Sequence, residues 1–298
     1  GTEWHDYICG VFWALTRKGH AVVGLDLVVA GTIPIGAGLS SSAALELAAA
    51  RAVASSIDLT WEPKQMALAG QRAENEWVGM PCGIMDQLAV AAGEEGSALL
   101  LDCRSLDYRL VPIPDEALVV VMDTGTRRAL VDGEYSERRQ SCETAVQSLQ
   151  QRHPSLRALR DVTPEMLAER KDSMDSVAHR RAQHVVEENL RTADMAQALK
   201  CGDLERAGRL MNASHESLRG LYEDSSRELD LISQLARDHS ACFGARMTGA
   251  GFGGCGVALV RADGVEGFTA DIEKAYKEQS DYSGSLYVCR PVRGTYLV

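Results

Sequence analysis

The sequence predicts a mixed helix-and-sheet chain, α/β (α+β), and three stretches carry the prediction. Residues 21–30, AVVGLDLVVA, read as a strand that leads through a glycine- and serine-rich turn into an alanine-rich helix over 43–56. Residues 97–103, 108–113 and 118–122 are short apolar runs separated by turn residues and read as three strands. Strands over 245–247, 255–260 and 285–290, with helices between them, make a second sheet-and-helix body. A chain of 298 residues with 45% hydrophobic content suffices for one large domain or two smaller ones with a sizeable core.

The remaining elements follow from periodicity and breakers. Residues 4–17 set Tyr7, Ile8, Val11, Phe12 and Leu15 on one helical face. Glu62-Pro63 opens another helix, proline being suited to a first turn, which runs through Met66, Leu68, Ala69 and Ala73 to Trp77. Residues 127–133 are polar and read as a loop, followed by a charged helix from Ser136 to about Gln151. Beyond Pro154 the pattern is helical, with a long amphipathic helix over 176–200 ending before Gly202 and shorter ones over 203–213 and 226–239. A helix over 265–278 precedes the last strand. His184 and His215 lack metal-ligand spacing and read as packing or surface histidines.

The chemistry concentrates at Pro34-Ile35-Gly36-Ala37-Gly38-Leu39-Ser40-Ser41-Ser42. Glycine lets the backbone turn tightly and approach a ligand, and the first N–H groups of the following helix favour an anion. Serine hydroxyls can cap the helix, bond phosphate oxygens or ligate magnesium. One serine would serve as a cap, and three in a row exceed that need. No lysine follows Gly36 or Gly38, so this is not a P-loop. Ser42 stands where a nucleophile elbow needs glycine. Asp86 sits in an otherwise apolar passage, where a carboxylate is expensive to bury without a partner; it is a helix cap or a general base. Glu74 is a surface acid or a magnesium ligand beside the serine loop, and Tyr135 is a packing residue or a ligand contact. Gly249, Gly251 and Gly254 satisfy G-x-G-x-x-G, yet a strand rather than a helix follows, so the cluster is a ligand- or loop-packing turn and not a dinucleotide fingerprint.

Composition narrows the class. A net charge of −11 argues against non-specific binding to nucleic acid and to an anionic membrane surface. Eight cysteines are scattered without a C-x-x-C pair, which suits reduced thiols and a cytoplasmic setting. No apolar run approaches the roughly 18 residues of a membrane span.

Three separated motifs resemble the GHMP small-molecule kinases. These are the segment Pro34 to Ala43, the segment Thr248-Gly249-Ala250-Gly251-Phe252-Gly253-Gly254, and Cys82-Gly83-Ile84-Met85-Asp86-Gln87, the last in the form found in galactokinases. Gly133-Glu134-Tyr135 with Arg138-Arg139-Gln140, and Ser214-His215-Glu216-Ser217-Leu218-Arg219, resemble the same branch. The resemblance implies a two-domain GHMP fold with its active site in the inter-domain cleft, residues 1–125 forming the N-terminal domain and 126–298 the C-terminal one. It implies phosphorylation of galactose at the anomeric hydroxyl by ATP with Mg2+. By position, Gly36, Ala37, Gly38, Leu39, Ser40, Ser41 and Ser42 wrap the ATP phosphates, and Ser42 and Glu74 hold magnesium. Asp86 orients or deprotonates the sugar hydroxyl, Gly83 and Tyr135 contact the sugar, and Gly249, Gly251, Gly253 and Gly254 shape the site. The expected partners are small molecules only, in a monomer or weak oligomer. Ser136 stands where many relatives carry proline, and the family's N-terminal signature, Gly-Arg-x-Asn-Leu-Ile-Gly-Glu-His-x-Asp-Tyr, has no counterpart. The sequence is therefore expected to begin inside the first domain, with its sheet incomplete. Kinases of a related sugar such as N-acetylgalactosamine, and non-catalytic sugar and ATP sensors, are the alternatives.

Overall fold

The computed structural model describes residues 3–127 and 132–298. The chain divides into two compact units, one of Gly1–Ile35, Leu39–Ile113 and Arg290–Val298, the other of Gly36–Gly38 and Pro114–Cys289.

The first unit is mainly helical. Helices α1 (Trp4–Arg17), α2 (Ser41–Ser56), α3 (Pro63–Arg72) and α4 (Met85–Ala92) bury Val11, Leu15, Leu47, Val53, Met66 and Leu88 in one core. α1 has the bounds its periodicity predicts, and Gly10 on it is forced by packing, since a Cβ there would lie 2.9 Å from that of Ala73. A hairpin of β1 (Ser97–Leu101) and β2 (Tyr108–Pro112) lies in the same unit, its turn fixed by Asp102 Oδ1 accepting from Arg104 N and Ser105 N at 2.8 and 3.0 Å. The C-terminal residues bond back to this unit through Gly294 N to Gly93 O (2.7 Å) and Thr295 N to Val90 O (2.8 Å).

The expected strand over 21–30 does not form. The segment has no ladder partner among the described strands, and Val28 is fully exposed, although Val22 and Leu25 pack on the core. High β propensity needs a neighbouring strand to bond, and none of the described strands supplies one. The helix opened by Pro63 also changes character: after Arg72 it continues as a π-helical turn, Ala73–Val78, closed by Gly79 and Met80 N–H groups on the Glu74 carbonyl, both at 3.0 Å.

The second unit holds a four-stranded sheet in the order β4-β5-β3-β6, from β3 (Ala117–Asp123), β4 (Cys242–Met247), β5 (Cys255–Arg261) and β6 (Ser285–Cys289). Every ladder is antiparallel, so the fold is of the α+β kind. β3 belongs here rather than with the residues before it, because its full length pairs with β5 from Ala117↔Arg261 to Asp123↔Cys255. Helices α8 (Leu204–Ser217), α9 (Arg227–Asp238) and α10 (Val265–Gln279) accompany the sheet, whose core includes Val120, Met122, Ile232, Val260, Phe268 and Tyr276. Helix α5 (Asp132–Gln150), the short α6 (Pro164–Ala168) and the long α7 (Ser176–Lys200) build a further core around Leu149, Leu159, Leu167 and Val186. α5 starts ahead of the predicted Ser136, and residues 128–131 of the predicted loop lie outside the described residues. α8 runs past the predicted 213 and passes through a second π-turn, Leu218–Tyr222.

Candidate active site

The serine loop adopts an unusual backbone. Gly36, Gly38 and Ser40 all take positive φ, at 73°, 74° and 56°, alternating with ordinary residues at 37 and 39. Such alternation turns successive N–H groups toward one concavity, a nest suited to an anion. Ser40 is the N-cap of α2, yet its side chain makes no capping bond, and Ser41 and Ser42 lie inside the first turn. The plain capping role for the serines is thus absent at Ser40.

In the first unit the structure brings Ser42, Glu74, Cys82 and Asp86 together. Glu74, in the π-turn, accepts a hydrogen bond from the Cys82 thiol at 3.5 Å, and the Ser42 hydroxyl lies near enough to favour its charged form. Burial raises the Glu74 carboxyl above its ordinary range, opposed by the Cys82 thiol and the Ser42 hydroxyl. Two residues that the sequence did not single out complete the cluster. Glu46 on α2 is fully buried, and Gln87 on α4 donates Nε2 to Glu46 Oε2 at 3.1 Å and to Glu74 Oε2 at 2.9 Å. Burial, then the charge of Glu74, pushes Glu46 up to about 9. The same two causes push the Cys82 thiol up to about 12, which keeps it protonated and inert. Asp86 is half-buried in the first turn of α4, near enough for its charge to raise both Glu46 and Glu74. Asp86 is not the helix cap: Ile84 holds that position and makes no capping bond. Gly83 lies exposed just before α4.

The glycine motif sits in the second unit. Gly249, Gly251, Phe252, Gly253 and Gly254 all have positive φ. Space as well as conformation demands glycine here: a Cβ at Gly251 would lie 2.0 Å from the Asp224 carbonyl oxygen, and one at Gly254 would lie 2.8 Å from that of Ala37. The motif is tied to the end of β3 by Thr124 N and Oγ1, which donate to Gly254 O at 3.0 and 2.6 Å. Arg127 is a further cation missed by the sequence reading. Its guanidinium bonds Asp123 through both Nη atoms at 2.9 and 3.1 Å, and its Cδ lies 3.6 Å from the Cβ position of Gly36. Gly133 and Tyr135 stand in the first turn of α5. One turn on, Arg138 donates Nε to Tyr222 O at 2.9 Å and lies over the Phe252 ring at 5.3 Å. His184 and His215 are packing residues: His184 Nδ1 lies 2.9 Å from Ser217 Oγ, and His215 accepts from Met247 N at 3.1 Å.

Comparison with known proteins identifies the family. Residues 6–94 match the GHMP kinases N terminal domain, and residues 195–278 match the GHMP kinases C terminal family. The serine loop, Glu74 and Asp86 fall in the first match and the glycine motif in the second. A galactokinase of Roseiflexus sp. (strain RS-1) is 46% identical over 291 residues, 98% of this chain and 74% of that protein. One of Chloroflexus aurantiacus is 45% identical over 287 residues, 96% and 74% respectively. The crystal structure of Lactococcus lactis galactokinase complexed with galactose is 35% identical, with a TM-score of 0.91 over 99% of this chain and 76% of that one. A mevalonate kinase structure, 20% identical with a TM-score of 0.60, shares the fold alone. The chain belongs to the galactokinase family of the GHMP kinases. None of its described helices is long and apolar enough to cross a membrane.

Proposed function

We propose that this protein transfers the γ-phosphoryl group of ATP to the anomeric hydroxyl of galactose, giving galactose 1-phosphate and ADP. The observation that carries the reading is the meeting of Ser42, Glu74 and Asp86 in one compact unit of a galactokinase-family chain. Phosphoryl transfer depends on positioning and on neutralising charge, and these residues supply both. The N–H groups of residues 36–42 bind the ATP phosphates, and Arg127 adds positive charge beside Gly36. A hydroxyl and a neighbouring carboxylate are the hard-oxygen donors that Mg2+ takes together with phosphate oxygens and water, so Ser42 and Glu74 fit as its protein ligands. Bound there, magnesium supplies charge neutralisation on the transferring group. Asp86 orients the sugar hydroxyl and takes its proton as the new O–P bond forms and the bond to the ADP oxygen breaks. Gly83 and Tyr135 contact the sugar, and Gly249, Gly251, Gly253 and Gly254 shape the site.

In this reading the protein is a cytoplasmic monomer or weak oligomer. Its partners are ATP and galactose, without nucleic acid or membrane. The test is ADP release from ATP and Mg2+, with and without galactose, for the wild type and Asp86→Asn. Galactose-dependent release that falls at least about 100-fold in the variant is expected. Galactose binding in calorimetry without any release from the wild type would overturn catalysis in favour of a sensor. Turnover of N-acetylgalactosamine alone would overturn the substrate.

A further inference from the structure

Gln87 follows Asp86 in the chain, and the chemistry above makes no use of it. Its side chain is only 1% exposed. The amide nitrogen has two hydrogens, and its contacts at 2.9 and 3.1 Å commit both of them to carboxyl groups, Glu74 Oε2 and Glu46 Oε2. One amide on α4 therefore ties together α2, through Glu46, and the π-turn, through Glu74. Gly70 on α3 leaves the room for this: a Cβ there would meet Glu46 Oε2 at 3.1 Å and both Gln87 Cγ and Leu47 Cδ2 at 3.2 Å. A glutamate has several rotamers to lose on binding a cation, and a clamp that fixes one of them beforehand lowers that cost.

We propose that Gln87 is a positioning residue for metal binding, holding Glu74 against Ser42 with Glu46 as the buried anchor of the clamp. The proposal rests on the reading of Glu74 as a magnesium ligand, and the test separates the two. Mn2+ is titrated into the protein with saturating ADP, and the free ion is followed by electron paramagnetic resonance. Gln87→Met keeps the volume and loses both donors. It weakens Mn2+ binding by about 10–100-fold, leaves galactose affinity in calorimetry unchanged, and recovers turnover at high Mg2+. A merely structural role would lower both affinities together, and that result overturns the proposal. Glu74→Gln in the same titration checks the ligand itself: Mn2+ affinity equal to wild type means that the ligand reading has failed, and the clamp with it. Loss of affinity in Glu74→Gln with none in Gln87→Met overturns the clamp alone. Should Gln87→Met lack a cooperative thermal transition, Gln87→Asn takes its place, keeping the amide but drawing it back by a carbon–carbon bond. Weakened Mn2+ binding in that variant supports the clamp, and wild-type binding overturns it.

Discussion

Asp224 shows how one residue serves the glycine motif through its backbone while its side chain is held under strain of burial. Its carbonyl accepts the Phe252 N–H at 2.7 Å, and its buried Oδ1 has no hydrogen-bond partner. Burial pushes this carboxyl up to about 7 in spite of the nearby Arg138, Arg246 and Arg181. The folded protein therefore keeps a proton that the unfolded chain releases near the ordinary value of 3.8. The resulting stability is full below that value and is lost as pH rises toward about 7. Asp224→Asn is neutral throughout, so its stability relative to wild type rises across this window, by up to about 1.4 kcal/mol per pH unit. His184, pushed down to about 4 chiefly by burial, has the opposite trend, since stability is lost as pH falls through its window; it cancels in the comparison. Urea unfolding of both proteins at about pH 5 and about pH 7.5 checks this; a pH-independent difference would count against it. At this scale Asp86 was singled out because a carboxylate in an apolar passage is costly without a partner, and Glu74 because magnesium prefers one or two carboxylates with phosphate oxygens. Gln87, Glu46 and Arg127 were not, because each draws its meaning from a partner elsewhere in the chain or from the loop it packs beside.

Among the elements, the seating of α8 on β4 turns on two glycines. A Cβ at Gly208 would lie 1.8 Å from Phe243 O, and one at Gly244 would lie 2.1 Å from Gly208 O. Helix propensity favours Gly208→Ala by about 1 kcal/mol, but a clash with backbone cannot be relieved by a side-chain rotation. Overpacking wins, with a net loss of about 2–4 kcal/mol. A thermal or urea midpoint equal to wild type would refute the argument. The pairing of Gly208 with Gly244 could not be read from the sequence, where Gly208 is an isolated helical glycine. The long helix α7 was read with its observed bounds, since its apolar spacing and the following Gly202 are local signals. The π-turns at Ala73–Val78 and Leu218–Tyr222 were invisible because periodicity does not distinguish an i→i+5 turn from the end of an α-helix.

For the molecule as a whole, a ligand that binds only the folded state raises its stability, by about 2.7 kcal/mol at a hundred times Kd. ADP is expected to raise the thermal midpoint, and Mg2+ to raise it further in its presence. Glu74→Gln removes most of the magnesium-dependent part and leaves the ADP part, as scanning fluorimetry with and without Mg2+ would show. An equal magnesium effect in both proteins would contradict the assignment of Glu74.

The sequence by itself determined most helices and strands, though not the helix α4 over Met85–Ala92, together with the glycine and serine loops and the resemblance that the family matches bear out. Those features are written in short windows: apolar period, caps and breakers, and residue types that chemistry restricts. Tertiary structure alone decided that residues 21–30 form no ladder and that β3 lies between β5 and β6. It also decided that Gln87 joins Glu46 to Glu74. A ladder, a buried carboxyl pair and a glycine-to-backbone contact each need a second piece of chain, and no single stretch of sequence says where that piece will be.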